Sequence, residues 1–480
     1  MLRLSILFFA STLSAISFSK DPAPSTVLSS ENYLMQVRNE HKGYKAAHHS
    51  QLSATLKAQE VQMLFKPVVF SSFQSTYDKK PGTLVPYEST EVQTLQVGAQ
   101  QTTSMGITAK AYYSLIDQRY NHLLMNNQPT DVGLRQASPA IEISLQLWRN
   151  WLGRESASLV NQAHALGQQG KLGQSFVMKT ILAQAAGAYW ALTLARETTK
   201  VAQDAVKRNE SLIHWHKDRV GKGLGDRVDF LQADAALEAS RIMLENSQNN
   251  EQTARRAFNL ARGKESSEVL EILTNPTAEF IASLTPPKRQ EMRDDVKAAV
   301  AQAQVADAQA TVIREKYKPS FEVFASASLN NPNPLERAKA VEQSLSTQKP
   351  TAIIGLRLTA PLGGNTTKEL WYGYKHDKLA ALASINQKKL EQEDAWASLN
   401  DCFQQAKNRV QSYLKLEAKQ KEKFEYEQER RKNGRTTTQQ VLLFKGDFEA
   451  AQMARLQSLF DFFSIYSQMK LFEELANEPS

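Results

Sequence analysis

Two kinds of residue cluster in this 480-residue chain have types and spacings that could do chemistry. His214-Trp215-His216 and His48-His49 offer imidazoles to a metal ion, and Gly221-Lys222-Gly223-Leu224-Gly225 offers a glycine-rich cradle to a phosphate. Each fails on its context. Residues one or two apart on a helix do not face each other, so neither histidine pair converges on one ion. A phosphate cradle follows a strand, whereas a long helical pattern leads into these glycines. Gly263-Lys264 lacks the upstream glycine of such a loop. The single cysteine, Cys402, sits beside Phe403 on an apolar stripe and reads as a small buried residue. One cysteine forms neither an internal disulfide nor a cysteine-based zinc cluster. No catalytic group, resident metal or cofactor is expected, and the chain is not read as an enzyme. The glycines are read as helix ends, where a positive φ lets the chain reverse.

The elements that would carry such reversals are long. Only 20 glycines and 16 prolines punctuate the chain, which favours extended elements over many tight turns. The formal charge is +8, but basic residues are interspersed with acidic ones, and no recognition motif or aromatic-interleaved basic stripe accompanies them. Nucleic acid is therefore not an expected partner. Residues 1–19 read as a secretory signal peptide: Arg3 is the charged start, Leu4 to Ala10 the apolar stretch, and Ser17-Phe18-Ser19 the small-residue cleavage site. Beyond it no run of 18 apolar residues occurs. The nearest, Thr180 to Ala195, carries Gln184, Gly187 and Thr193 and suits a packed helix.

Self-similarity organises the rest. Lys45-Ala46-Ala47 precedes Lys66-Pro67 at the same spacing as Lys297-Ala298-Ala299 precedes Lys318-Pro319. Leu152-Gly153 matches Leu362-Gly363, and the glycine turn at Gly223 matches that at Gly434. The first copy carries about 42 extra residues between its strands. Each copy reads as a helix of about 25 residues ending at Lys-Pro, a strand pair, a proline-free helix of about 70 residues, and a return helix of about 40.

Alternation marks the strands: Phe321, Val323, Ala325, Ala327 and Leu329; Ile141, Ile143, Leu145 and Leu147; Ile354, Leu356 and Leu358. The extra segment alternates too, from Leu95, Val97 and Ala99 to Met105 through Leu115, and predicts an added β-hairpin at about 91–118. Trp396, Leu399, Phe403, Ala406, Val410 and Tyr413 step three and four along one helical seam. Leu194, Val201, Ala205, Leu212 and Trp215 hold a stripe in the first copy, and Leu459, Phe462, Tyr466 and Met469 another on the return helix. The expected divisions are a first repeat over 20–263, a linker over 264–292, a second repeat over 293–475 and a tail over 476–480.

This order of elements behind a signal peptide resembles the TolC-like outer-membrane efflux protein family. Arg293-Asp294-Asp295-Val296-Lys297-Ala298-Ala299 is similar to the opening of its second repeat, and Ala360-Pro361-Leu362-Gly363-Gly364 to its strand-to-helix junction. Gly223 through Ala233 and Gly434 through Leu442 resemble its helix tips, and Ala188-Tyr189-Trp190 falls where an aromatic pair is common.

The resemblance implies a mainly α fold with a membrane β-barrel section, assembled as a homotrimer with a shared α-barrel and outer-membrane β-barrel. Its implied function is an exit duct of a tripartite efflux or type I secretion system, placed in the outer membrane with a long periplasmic extension. Outer-membrane lipid, a periplasmic adaptor and, indirectly, an inner-membrane transporter are the implied partners. The pore constriction would involve Asp229, Arg227, Gln440 and Leu443, although Gln440 and Leu443 stand where the family often has acids. The adaptor would meet Gly223, Leu224, Gly225, Asp226, Gly434, Arg435 and Thr436. The extra hairpin leaves four or six strands per copy open. A periplasmic coiled-coil scaffold is the alternative; it has no reason to alternate apolar and polar residues over two hairpins.

Overall fold

The computed structural model describes residues 27–80, 86–125, 128–333 and 337–473. The expected signal peptide and the tail after 475 lie outside them. The described residues begin with β1 (Val27–Leu28), α1 (Ser30–Glu40) and α2 (Lys42–Lys57). In place of one 25-residue helix, the first copy tightens after α2: Gln59 N–H bonds the carbonyl of Leu56, and a 3-10 helix, Glu60–Phe65, leads to Lys66-Pro67. Four strands follow: β2 (Val68–Asp78), β3 (Ser89–Thr102), β4 (Ile107–Met125) and β5 (Gln128–Gln146). Met105 lies in the turn before β4 rather than on a strand, and Leu147 one residue past β5, its N–H still bonded to Phe321 O.

The two long helices are α3 (Arg154–Gly221), 68 residues, and α8 (Gly364–Lys432), 69 residues. Their return helices are α4 (Arg227–Ala261) and α9 (Thr438–Met469), 35 and 32 residues against the expected 40. Gly263 with φ +73° closes α4 early, and α9 passes into a 3-10 turn at Lys470–Phe472. Between α4 and α8 lie β6 (Ile272–Leu273), α5 (Ala278–Ser283), α6 (Asp294–Lys316), β7 (Ser320–Leu329), β8 (Asn331–Asn333), α7 (Arg337–Glu342) and β9 (Pro350–Thr359).

The described residues divide into two compact units, each built from separated stretches of the chain. One comprises Met1–Lys42, Ile181–Pro286 and Asn400–Lys470. Its core is aromatic. Tyr33 stacks on Phe258 at 4.2 Å and donates its hydroxyl to Phe258 O, and Trp190 stacks on Phe463 at 3.8 Å. The buried Tyr189 hydroxyl donates to Leu28 O at 2.8 Å and accepts from Thr274 N–H at 3.0 Å, tying α3 to the short β1–β6 ladder. Arg262, 2% exposed, is fully paired with Glu271 and Asn259. Phe403, Ala406 and Val410 of the expected seam are buried here, but Cys402 is exposed: one residue along a helix is a rotation of about 100°, which carries it off the seam.

The other unit, Gly43–Thr180, Pro287–Leu399 and Leu471–Ser480, holds the large sheet. Its strands run in the order β2-β3-β4-β5-β7-β9, all antiparallel, with β8 pairing alongside β5. Strand-to-helix entry is built at Asn150, whose side chain receives Ser156 N–H and donates to Ser156 Oγ. At the start of α6, Asp294 is held by Lys179 Nζ at 2.9 Å and Ser175 Oγ at 2.7 Å, and Arg293 lies over the Phe176 and Phe472 rings. Among the described residues no helix is long and apolar enough to cross a membrane.

Candidate functional site

The two helix reversals that end α3 and α8 are built alike, residue for residue, at an offset of 211 positions. Gly223 has φ +70° and Gly434 φ +69°. Around each, the same pair of bonds closes the helix: Leu224 N–H to Arg219 O and Gly223 N–H to Val220 O in the first, Arg435 N–H to Arg430 O and Gly434 N–H to Arg431 O in the second, all 2.9–3.0 Å. This is the Schellman pattern, and it needs the left-handed residue that glycine supplies. The next helix is then capped from the same relative position, by Asp226 receiving Val228 N–H at 3.0 Å and by Thr437 receiving Gln440 N–H at 3.3 Å.

Sequence reading found the glycines but missed the brace. Arg219 Nη2 donates to Leu224 O at 2.9 Å, and Arg430 Nη2 donates to Arg435 O at 3.0 Å. The signal was present as an arginine four residues before each tip glycine. Below each arginine the copies diverge. Glu427, 1% exposed, pairs with Arg430 at 3.2 Å and accepts the Thr436 hydroxyl. The matching positions in the first copy are His216 and Gly225. A side chain at 225 would press against Arg219 Cβ and Val220 N at 3.1 Å. His216 is buried, and its Nε2 has no hydrogen-bond partner. The reversals also meet: Arg431 and Arg219 lie 5.5 Å and 4.7 Å from the Trp215 ring centroid, one cation from each copy over one indole.

The expected pore residues fall around this brace. Asp229 is half-buried in the first turn of α4, where the helix dipole favours a carboxylate. Arg227, Asp226, Gln440 and Arg435 are exposed. Leu443 (59%) joins Leu224, Val228 and Leu231 as exposed apolar residues near the two turns. Asp229 and Gln440 make no hydrogen bond to each other among the described residues. Further up, a polar seam joins three helices: buried Lys445 of α9 donates to Asn209 of α3 at 2.6 Å, Asn209 donates to Ala236 O of α4, and Arg208 pairs with Glu449 at 3.0 Å. Burial holds the Lys445 ammonium below its ordinary pKa, with Glu449 opposing. Among the described residues no group of three or more His, Cys, Asp or Glu is placed to hold a metal.

His216 gives the tip a pH response. Burial lowers its pKa below 6.5, the Asp229 carboxylate pulls it back, and Arg431 and Arg219 push it down. The unfolded chain therefore binds more protons just below pH 6.5, so the stabilising effect is full above that value and is lost as the pH falls through the folded-state pKa. Amides in the last turn of α3 should exchange hydrogen faster at about pH 5.5 than at about pH 7.5 after correction for intrinsic rates, and His216→Gln should flatten the difference. An unchanged difference in that variant would assign the response elsewhere.

No protein-family model and no curated protein matches the sequence. Solved structures do match its fold along nearly the whole chain. The outer-membrane channel OprN is 15% identical with a TM-score of 0.65, the match covering 93% of this chain and 90% of that one. The outer membrane protein VceC from Vibrio cholerae is 14% identical at 0.64, covering 92% and 96%. The Neisseria gonorrhoeae MtrE outer membrane channel, in its open state, is 14% identical at 0.61, covering 92% and 88%. The chain has the fold of these channels.

Proposed function

We propose that this chain is an outer-membrane exit duct. Three copies close a β-barrel in the outer membrane, and their long helices form a periplasmic tunnel that carries substrate passively within a tripartite efflux or type I secretion system. An inner-membrane transporter supplies the energy, and a periplasmic adaptor meets the exposed tips around Leu224, Gly225, Asp226, Arg435 and Thr436. The observation that carries this reading is the end-to-end likeness of fold to outer-membrane channels. The sheet supports it. β2 and β9 are its boundary strands, 11 and 10 residues long, each with one partner strand among the described residues. Such open edges call for a neighbour, and a second copy supplies one. Asp229 is the proposed lumen-facing carboxylate of the constriction.

Fractionation and planar-bilayer recording test this together. The expected result is a heat-resistant oligomer in the outer membrane that conducts ions, with Asp229→Ala raising conductance or shifting cation preference while leaving the oligomer intact. Recovery as a soluble periplasmic protein would overturn the duct. Unaltered currents from the variant would remove Asp229 from the constriction.

A further inference from the structure

Among the described residues the hairpin of β3 and β4, set between β2 and β5, has no counterpart between β7 and β9. We propose that this added hairpin is part of the membrane wall, its apolar face against lipid acyl chains, so that each copy contributes six wall strands. This rests on the outer-membrane reading above.

The register carries the argument. One row of directly paired residues crosses all six strands: Val69, Ala99, Ala111, Ile141, Ala327 and Ala352. Every member is apolar. The adjacent row, on the opposite face, reads Val68, Gln100, Lys110, Glu142, Ser326 and Ile353, polar across its four central strands and apolar at its two ends. The added hairpin therefore has its apolar side on the same face as Ile354 and Leu356 of β9, which stand 82% and 67% exposed. A cap set apart from the wall would have no reason to keep this register. On β4 the apolar positions run from Ile107 to Leu115, a span of nine residues that matches a tilted membrane strand.

Both margins agree. Beyond Leu115 and Ala137 the same face turns charged at Asp117 and Arg135, paired at 3.7 Å, where α7 closes over with Ala340 and Val341. At the other margin the β3–β4 turn packs on the β5-to-α3 junction: a Cβ on Gly153 would meet Ser104 O, and one on Gly106 would meet Asn150 O. The hairpin thus turns at the level where the wall gives way to helix. The polar face repeats one device in both hairpins, with Tyr112 across from Gly98 and Phe324 across from Gly355. Three copies of a six-strand segment close eighteen strands, a size that leaves an aqueous channel.

Fluorophores on single cysteines, in a full-length Cys402→Ser background reconstituted into vesicles with brominated acyl chains, decide the point. Val97→Cys on β3 and Tyr113→Cys on β4 should lose most of their emission, as should Ile354→Cys on β9, while Gln96→Cys on the opposite face should keep it. Two positions on the hairpin guard against one variant failing to fold. Quenching at Ile354 without quenching at Val97 or Tyr113 would overturn the six-strand wall and leave the duct standing. No quenching at Ile354 either would sink the outer-membrane reading itself, and the wall with it. Equal quenching at Gln96 and Val97 would overturn the assigned faces.

Discussion

Trp190→Ala should remove about 3–5 kcal/mol from the stability of the unit that holds it, the largest loss expected from any single truncation in that core. Trp190 is 7% exposed, stacks on Phe463 at 3.8 Å and meets Tyr189 edge-on at 5.1 Å. Deleting the indole forfeits its transfer free energy and leaves a cavity against a ring that is itself 1% exposed. Trp190→Phe keeps a stacking partner and should recover most of the loss. Urea-dependent proteolysis of the detergent-purified protein, followed at cleavage sites in α4 and α9, would read both. A midpoint shared by Trp190→Ala and the wild type would show that the stack contributes little.

Gly153→Ala should be the most damaging single methyl group in the sheet-bearing unit. Gly153 has φ +77°, which costs an L-residue about 1–2 kcal/mol. The new Cβ would also lie 1.9 Å from the carbonyl oxygen of Ser104, forcing the β3–β4 turn aside at about 1–3 kcal/mol. Its partner in the repeat is a built-in control. A Cβ on Gly363 meets nothing closer than Thr367 Oγ1 at 3.5 Å, so Gly363→Ala should stay within about 0.5 kcal/mol of wild type. The thermal midpoint and yield of the folded oligomer measure the contrast. Equal behaviour of the two variants would mean that the turn yields without cost.

That contrast also shows what could be read from the chain. The two long helices were legible because they run 68 and 69 residues without proline and end at glycines, so counting along the sequence recovers them. Order and spacing carried the resemblance even though no family model matches. Strand alternation likewise exposed the added hairpin. It left open whether the hairpin joined the wall, because one face of an alternating strand looks the same in any pairing; only the row from Val69 to Ala352 shows which neighbours share it.

The tip was half legible. Gly223 and Gly434 announce themselves by type, whereas Arg219, Arg430 and Glu427 are ordinary helix residues until the reversal brings a carbonyl or hydroxyl within reach. Spacing groups His216 with His214 as one histidine pair, yet His216 is 2% exposed while His214 faces out toward Asp218. Cys402 erred the other way, since adjacency to a buried residue says little on a helix.

The boundary strands β2 and β9 have a consequence for how such a ring could be counted. In the proposed duct each copy would offer two different edges, β2 and β9, so contact between copies would be head-to-tail, and nothing in a head-to-tail contact limits how many copies follow. The limit comes from geometry: the ring shuts when the accumulated bend of the strands brings the last edge back to the first, and otherwise the chain of copies runs on. In the proposed duct, copy number is therefore a property of sheet curvature and strand tilt. A substitution that flattens the sheet would change the number of copies before it weakened the bond between any two of them.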